Sequence, residues 1–136
     1  MSGIELGINQ DGVLHVTSQF HKELNINSDE RTLADHFISV ISQHDDASAV
    51  SVERRSSNYL SICVNGFDFL RFKYTDRARW ISIDVTGLDI PEDDARFVVQ
   101  TNKNQRFWKA TIKDLESLDQ FDTDVYNSYR YAKEVM

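Results

Sequence analysis

Apolar residues recur along this chain with two different periods. From Leu33 to Ile41 they fall three and four apart: Leu33, Phe37, Val40 and Ile41, with Ala34 and Ile38 beside them. That spacing draws one apolar stripe along an α-helix. Ser28 is the expected N-cap, and Asp29 and Glu30 suit the positive end of the helix dipole. The helix is expected to end near His44. Beyond it the period changes to two. Val50 and Val52 alternate with polar neighbours, as do Leu60, Ile62 and Val64. Leu70, Phe72 and Tyr74 follow, then Arg79, Ile81, Ile83 and Val85. Strict alternation is the mark of half-buried strands.

The register of the central pair is readable. A loop over 75–78 sets Tyr74 opposite Arg79, Lys73 opposite Trp80, Phe72 opposite Ile81, Arg71 opposite Ser82 and Leu70 opposite Ile83. One face is then apolar and the other carries Arg71, Lys73 and Trp80. The preceding turn is harder. A two-residue Asn65-Gly66 loop sets Ile62 opposite Phe69 and turns Leu70 to the wrong face. A three-residue loop over 65–67 sets Ile62 opposite Leu70, so the three-residue loop is expected, with Gly66 available for a left-handed conformation.

Elsewhere, residues 4–9 and 13–18 flank Gln10-Asp11-Gly12 and predict a hairpin. Residues 86–94 read as a loop. Residues 97–100 and 105–112 read as a second hairpin joined by 101–104. Residues 114–118 suit a short turn. Asp122 is placed to cap a last helix in which Val125, Tyr129 and Ala132 share a face. The order ββ-α-βββββ-α predicts an α+β fold: a mainly antiparallel sheet of about five to seven strands with two helices on one face.

Length and composition narrow the picture. The 136 residues suit one domain, 1–136, able to bury a core without a disulfide or metal. Eight Phe, five Tyr and two Trp argue against a disordered chain. The single cysteine, Cys63, excludes an internal disulfide framework and suits a reducing compartment. No stretch approaches a membrane span, and the N-terminus lacks a signal-peptide pattern, so a cytoplasmic protein without membrane contact is expected. Charge is uneven. Residues 50–113 hold 11 of the 15 Lys and Arg but 8 of the 22 Asp and Glu, so the middle is +3 and the flanks together −10. Cross-strand pairing explains part of that; a polarised surface is the functional alternative.

Candidate chemistry is sparse. The chain has no phosphate loop, nucleophile elbow, His-Glu-x-x-His or Cys-x-x-Cys. Cys63 is expected to be packed rather than reactive. His36 and His44 lie eight residues apart on one helix, about 80° around its axis, so they cannot share a metal without a third element. His15 and His21 straddle a strand end. Asp68 and Asp84 are strand acids, but no acidic-x-Lys triplet follows as a metal-dependent nuclease requires. Glu92-Asp93-Asp94 lacks a calcium-loop pattern. Neither metal nor cofactor is expected, and catalysis is not.

Two stretches interleave bases with aromatics: 71–80, with Arg71, Lys73, Arg77, Arg79 and Trp80, and 102–109, with Lys103, Arg106 and Lys109. Such a face can track phosphates and stack bases. The alternative is a surface cation–π pair of Lys73 over Trp80, with Arg77 and Arg79 in a solvated turn. In these two segments the chain resembles small uncharacterised domains of Gram-positive bacteria and their mobile elements. In layout, over residues 30–133, it is similar to compact α+β proteins of the YjbR-like kind. That resemblance implies no catalytic residues.

Two functions follow as expectations. The first is a non-catalytic module that binds another protein, a regulator or inhibitor acting through an acidic surface that includes Asp119, Asp122 and Asp124. The second is a nucleic-acid-binding module using the basic-aromatic sheet face.

Overall fold

The computed structural model describes residues 26–56, 58–91 and 93–135, with Arg55 described by its backbone alone. The expected hairpin over 4–18, with His15 and His21 near it, lies outside these residues. The first helix, α1 (Ser28–Ser42), begins one residue earlier than expected. Asn27, not Ser28, is the N-cap: its Oδ1 accepts from the Glu30 amide at 2.7 Å, and its own amide donates to Glu30 Oε1 at 3.3 Å. This reciprocal box needs a glutamate three residues after the cap, and only Asn27 has one. The box is also an anchor. Glu30 Oε2 accepts from the Tyr74 amide at 3.2 Å, and Asn27 Nδ2 donates to the Tyr74 carbonyl at 2.8 Å.

Six strands follow, one more than the expected order held: β1 (Val50–Ser56), β2 (Tyr59–Val64), β3 (Phe67–Tyr74), β4 (Arg79–Asp84), β5 (Val98–Asn102) and β6 (Gln105–Thr111). They form one antiparallel sheet in the order β1-β2-β3-β4-β6-β5. A 3₁₀ segment, Leu115–Phe121, leads into α2 (Asp122–Val135), where Asp122 is the first helical residue. The described residues therefore form an α+β fold, one antiparallel sheet with two helices.

The β3–β4 pair has the expected register at all five positions, Leu70 with Ile83 through Tyr74 with Arg79. The β2–β3 turn is different. It is the two-residue Asn65-Gly66 turn, with Val64 opposite Phe67 and φ of 52° and 84° at its two residues. Both angles lie in the left-handed region that a twisted hairpin favours. Ile62 nevertheless meets Leu70, because a β-bulge follows: Cys63 pairs with Asp68, and Phe69 is the extra residue. The bulge sends both Phe69 and Leu70 into the core. The β5–β6 turn is shorter than expected as well; strands continue to Asn102 and from Gln105, and Lys103 takes φ of 57°.

Both helices cover one face. Leu60, Ile62, Leu70, Phe72, Ile81 and Ile83 are fully buried there in a single core with Phe37 and Ile41 of α1 and Val125, Tyr129 and Ala132 of α2. Each such side chain contributes about 1.5–3 kcal/mol on burial. No helix among the described residues is long and apolar enough to cross a membrane.

Candidate functional site

The sheet face away from the helices is ordered by register. Ser61, Arg71, Ser82 and Lys109 form one row across β2, β3, β4 and β6. Lys73 and Trp80 form the next, and Asp84, Phe107 and Gln100 flank the row on its other side. Neighbours in such rows stand about 5 Å apart. Arg71 is fixed in three ways: its Nε donates to Asp68 Oδ2 at 2.9 Å, and its guanidinium lies 4.5 Å from the Phe107 ring centroid and 5.3 Å from that of Tyr59. Phe107 is 5 % exposed although no helix covers it. The cation over Trp80 is Lys109, with Nζ 4.6 Å from the ring centroid. This corrects the expected Lys73–Trp80 pair: Lys73 is opposite Trp80 in register, but the charge comes from β6. Between these groups lies a groove of about 360 Å³ with Ser82 in its lining and Gln100 and Asn102 of β5 along one side.

The other expected cations do not join this groove. Arg77 is exposed in the 75–78 turn. Arg79 turns back over the Tyr74 ring at 4.8 Å and donates to the Thr75 carbonyl. Lys103 caps the β5–β6 turn, and Arg106 donates to the Leu88 carbonyl at 2.9 Å, tying down the β4–β5 connection.

Of the expected acidic trio, two residues face partners within the chain. Asp122 Oδ1 is 2.6 Å from His36 Nε2, joining the two helices. Asp124 Oδ2 accepts from Arg96 Nη2 at 3.2 Å, while Asp119 is exposed on the 3₁₀ segment. Burial pushes the Asp124 carboxyl above its ordinary value; Arg96 pulls it back and Asp94 adds to the rise. Arg96 also holds Asp94, whose carboxyl its hydrogen bond lowers.

Beside Asp124, α2 and the β4–β5 connection enclose a cleft of about 450 Å³. Its floor is apolar, with Val85, Leu88, Ile90 and Trp108. Its rim carries Asp89, Asp94, Asp124 and Glu134 against Arg96 and Arg130. Trp108 stacks on Phe97 with centroids 3.9 Å apart, and its indole N–H is buried without a hydrogen-bond partner. Tyr131 walls this cleft and also a second hollow, about 310 Å³, that Asp84, Phe67 and Ser128 line. The ring of Tyr131 lies where a Cβ on Gly87 would stand, so only glycine admits it. Asp84 is 7 % exposed; Oδ1 accepts from the Thr86 amide at 2.9 Å, and Oδ2 has no partner.

Tyr59, Phe107 and the whole β4–β5 cleft escaped the sequence reading, which placed Ser82 opposite Arg71 and weighed Asp84 only as a strand acid. Only the alternation of β4 carried a signal for Ser82 and Asp84, which share the parity of Trp80. No group of three or more metal-ligating side chains comes together among the described residues. Cys63 is fully buried. No protein-family model matches the chain, and neither a curated protein nor a solved structure matches it.

Proposed function

We propose that the protein is a non-catalytic module that binds another protein, receiving a segment in which an apolar side chain neighbours a basic one. The observation that carries this reading is the cleft between α2 and the β4–β5 connection, whose apolar floor includes Trp108 with its indole N–H unpaired among the described residues. An unpaired buried polar atom costs about 1–3 kcal/mol, and a ligand that pairs it recovers that loss. A peptide carries the complement, a backbone carbonyl for the indole N–H. The apolar floor suits an aliphatic or aromatic anchor, and four carboxylates against two arginines on the rim favour a basic flank. Asp124 thus serves at the rim of a cleft rather than within an open acidic patch.

Peptide-display selection against the purified protein tests this. Selected sequences are expected to place Lys or Arg close to an aromatic or aliphatic residue. Ile90→Asp and Asp124→Asn should each weaken the selected peptides about ten-fold or more, while Lys109→Gln on the open sheet face leaves them unchanged. Peptides with no such pattern, or binding indifferent to Ile90→Asp, refute the reading.

A further inference from the structure

The open face of the sheet carries a second, separate set of unmet groups. Ser82 stands in the middle of the cross-strand row, directly between Arg71 and Lys109. Being the shortest side chain of the three, it leaves a dip between two long cations. Its residue is 7 % exposed, and its hydroxyl makes no hydrogen bond among the described residues. Arg71 uses only Nε on Asp68, so its two terminal nitrogens stay available while stacking on Phe107 and Tyr59 holds the guanidinium plane still. Lys109 has an aromatic ring beneath its ammonium and no carboxylate on it. Two cations that flank a hydroxyl in one groove suit a tetrahedral oxyanion, and a guanidinium already fixed loses little freedom on binding it.

The groove is larger than one oxyanion needs. At about 360 Å³ it falls in the range of small-molecule sites, with Gln100 and Asn102 lining one end and Trp80 the other. Side-chain amides pair with the donor and acceptor edges of a nucleobase. We infer that this groove binds a mononucleotide, with the phosphate over Ser82 between Arg71 and Lys109 and the base toward Gln100 and Asn102. The cations at the turns, Arg77 and Lys103, together with Arg79 over Tyr74 and Arg106 on the Leu88 carbonyl, do not extend the groove, so it holds one phosphate rather than tracking a strand.

The test is calorimetric titration of the whole protein with adenosine monophosphate, adenosine, inorganic phosphate and a single-stranded oligonucleotide bearing a 5′-phosphate. The monophosphate is expected to bind one per chain with Kd below about 1 mM. Adenosine and inorganic phosphate should each bind about ten-fold or more weakly, because each lacks half of the contacts. Lys109→Gln should lower the affinity about ten-fold, the worth of one charged hydrogen bond. Ser82→Ala should lower it less, with circular dichroism unchanged in both. An oligonucleotide that binds no tighter than the monophosphate supports the single-phosphate site. The proposal is overturned if the monophosphate fails to bind at about 1 mM, if Lys109→Gln leaves its affinity unchanged, or if the oligonucleotide alone binds.

Discussion

The two faces of the sheet bury side chains by different means. On the helix-covered face, Leu60, Ile62, Phe72 and Ile81 lose all contact with water because α1 and α2 lie over them. On the other face no helix intervenes, yet Phe107 is only 5 % exposed. Its cover is the guanidinium of Arg71, and the cover over Trp80 is the ammonium of Lys109. A long cation lays its stem on apolar surface and keeps its charge in reach of solvent. The first kind of burial gives stability alone. The second leaves charged and hydroxyl groups presented on a fixed frame, which is what a recognition surface needs. On the open face, the groups that cover aromatic rings are thus also the groups presented for binding.

The sharpest way to break that comparison is to truncate one side chain from each face. Phe72→Ala should destabilise by about 3–5 kcal/mol in chemical denaturation, since it opens a cavity in a sealed core. A loss under about 1 kcal/mol would mean that the faces are misassigned. Arg71→Ala should cost less, about 1–2 kcal/mol, from its ring contacts and its ion pair with Asp68. An effect as large as that of Phe72→Ala would show that the cation roof is part of the core.

Gly87→Ala probes the wall between the two α2 hollows. A Cβ there overlaps the far end of the Tyr131 ring, which is 38 % exposed and can swing outward. The expected loss is about 1 kcal/mol or less, and it should vanish when Tyr131→Ala is added. A double-mutant cycle that finds the two changes independent would remove the wall from the account.

The smallest effect is on pH dependence. Asp45 accepts from Lys133 Nζ at 2.6 Å and from the Tyr129 hydroxyl at 2.7 Å; these bonds hold its carboxyl down to about 2. A depressed carboxyl adds stability above its ordinary value of 3.8 and loses it as pH falls through about 2. Burial, then the Asp45 bond, pushes the Tyr129 phenol up to about 12, so that its contribution is whole below 10 and is lost as pH rises through about 12. Asp45→Asn should flatten the acid limb of melting temperature against pH, and Tyr129→Phe the alkaline limb. Unchanged limbs would place both groups in water.

What the sequence made legible was local. Alternation and one short loop set the whole β3–β4 register. The Asn27–Glu30 box was present in the sequence too, but Ser28 competes for it on propensity alone. The β2–β3 turn was ambiguous for a physical reason: a longer loop and a bulge both bring Ile62 to Leu70, and periodicity cannot tell them apart. Lys109 over Trp80 was out of reach because it depends on β6 pairing with β4 rather than on any near neighbour. The same holds for His36 with Asp122, 86 residues apart, and for the cleft that α2 closes against the β4–β5 connection.

The bulge at Phe69 has a consequence for how the chain assembles. Ser128 Oγ of α2 donates to the Asp84 carbonyl at 2.6 Å and lies 3.3 Å from the carbonyl of Phe69, the extra residue of the bulge. A β2–β3 hairpin zipped without the bulge sets Phe69 opposite Ile62 and turns Leu70, Phe72 and Tyr74 out of the core, so β3 loses the apolar face on which α2 packs. The last helix then has no seat. Closure of the hairpin is local and quick, whereas docking of α2 spans about half the chain and comes late. The helix therefore acts as an inspector of strand alignment: it completes the fold only over a correctly paired sheet, and a slipped hairpin stays open to re-pair.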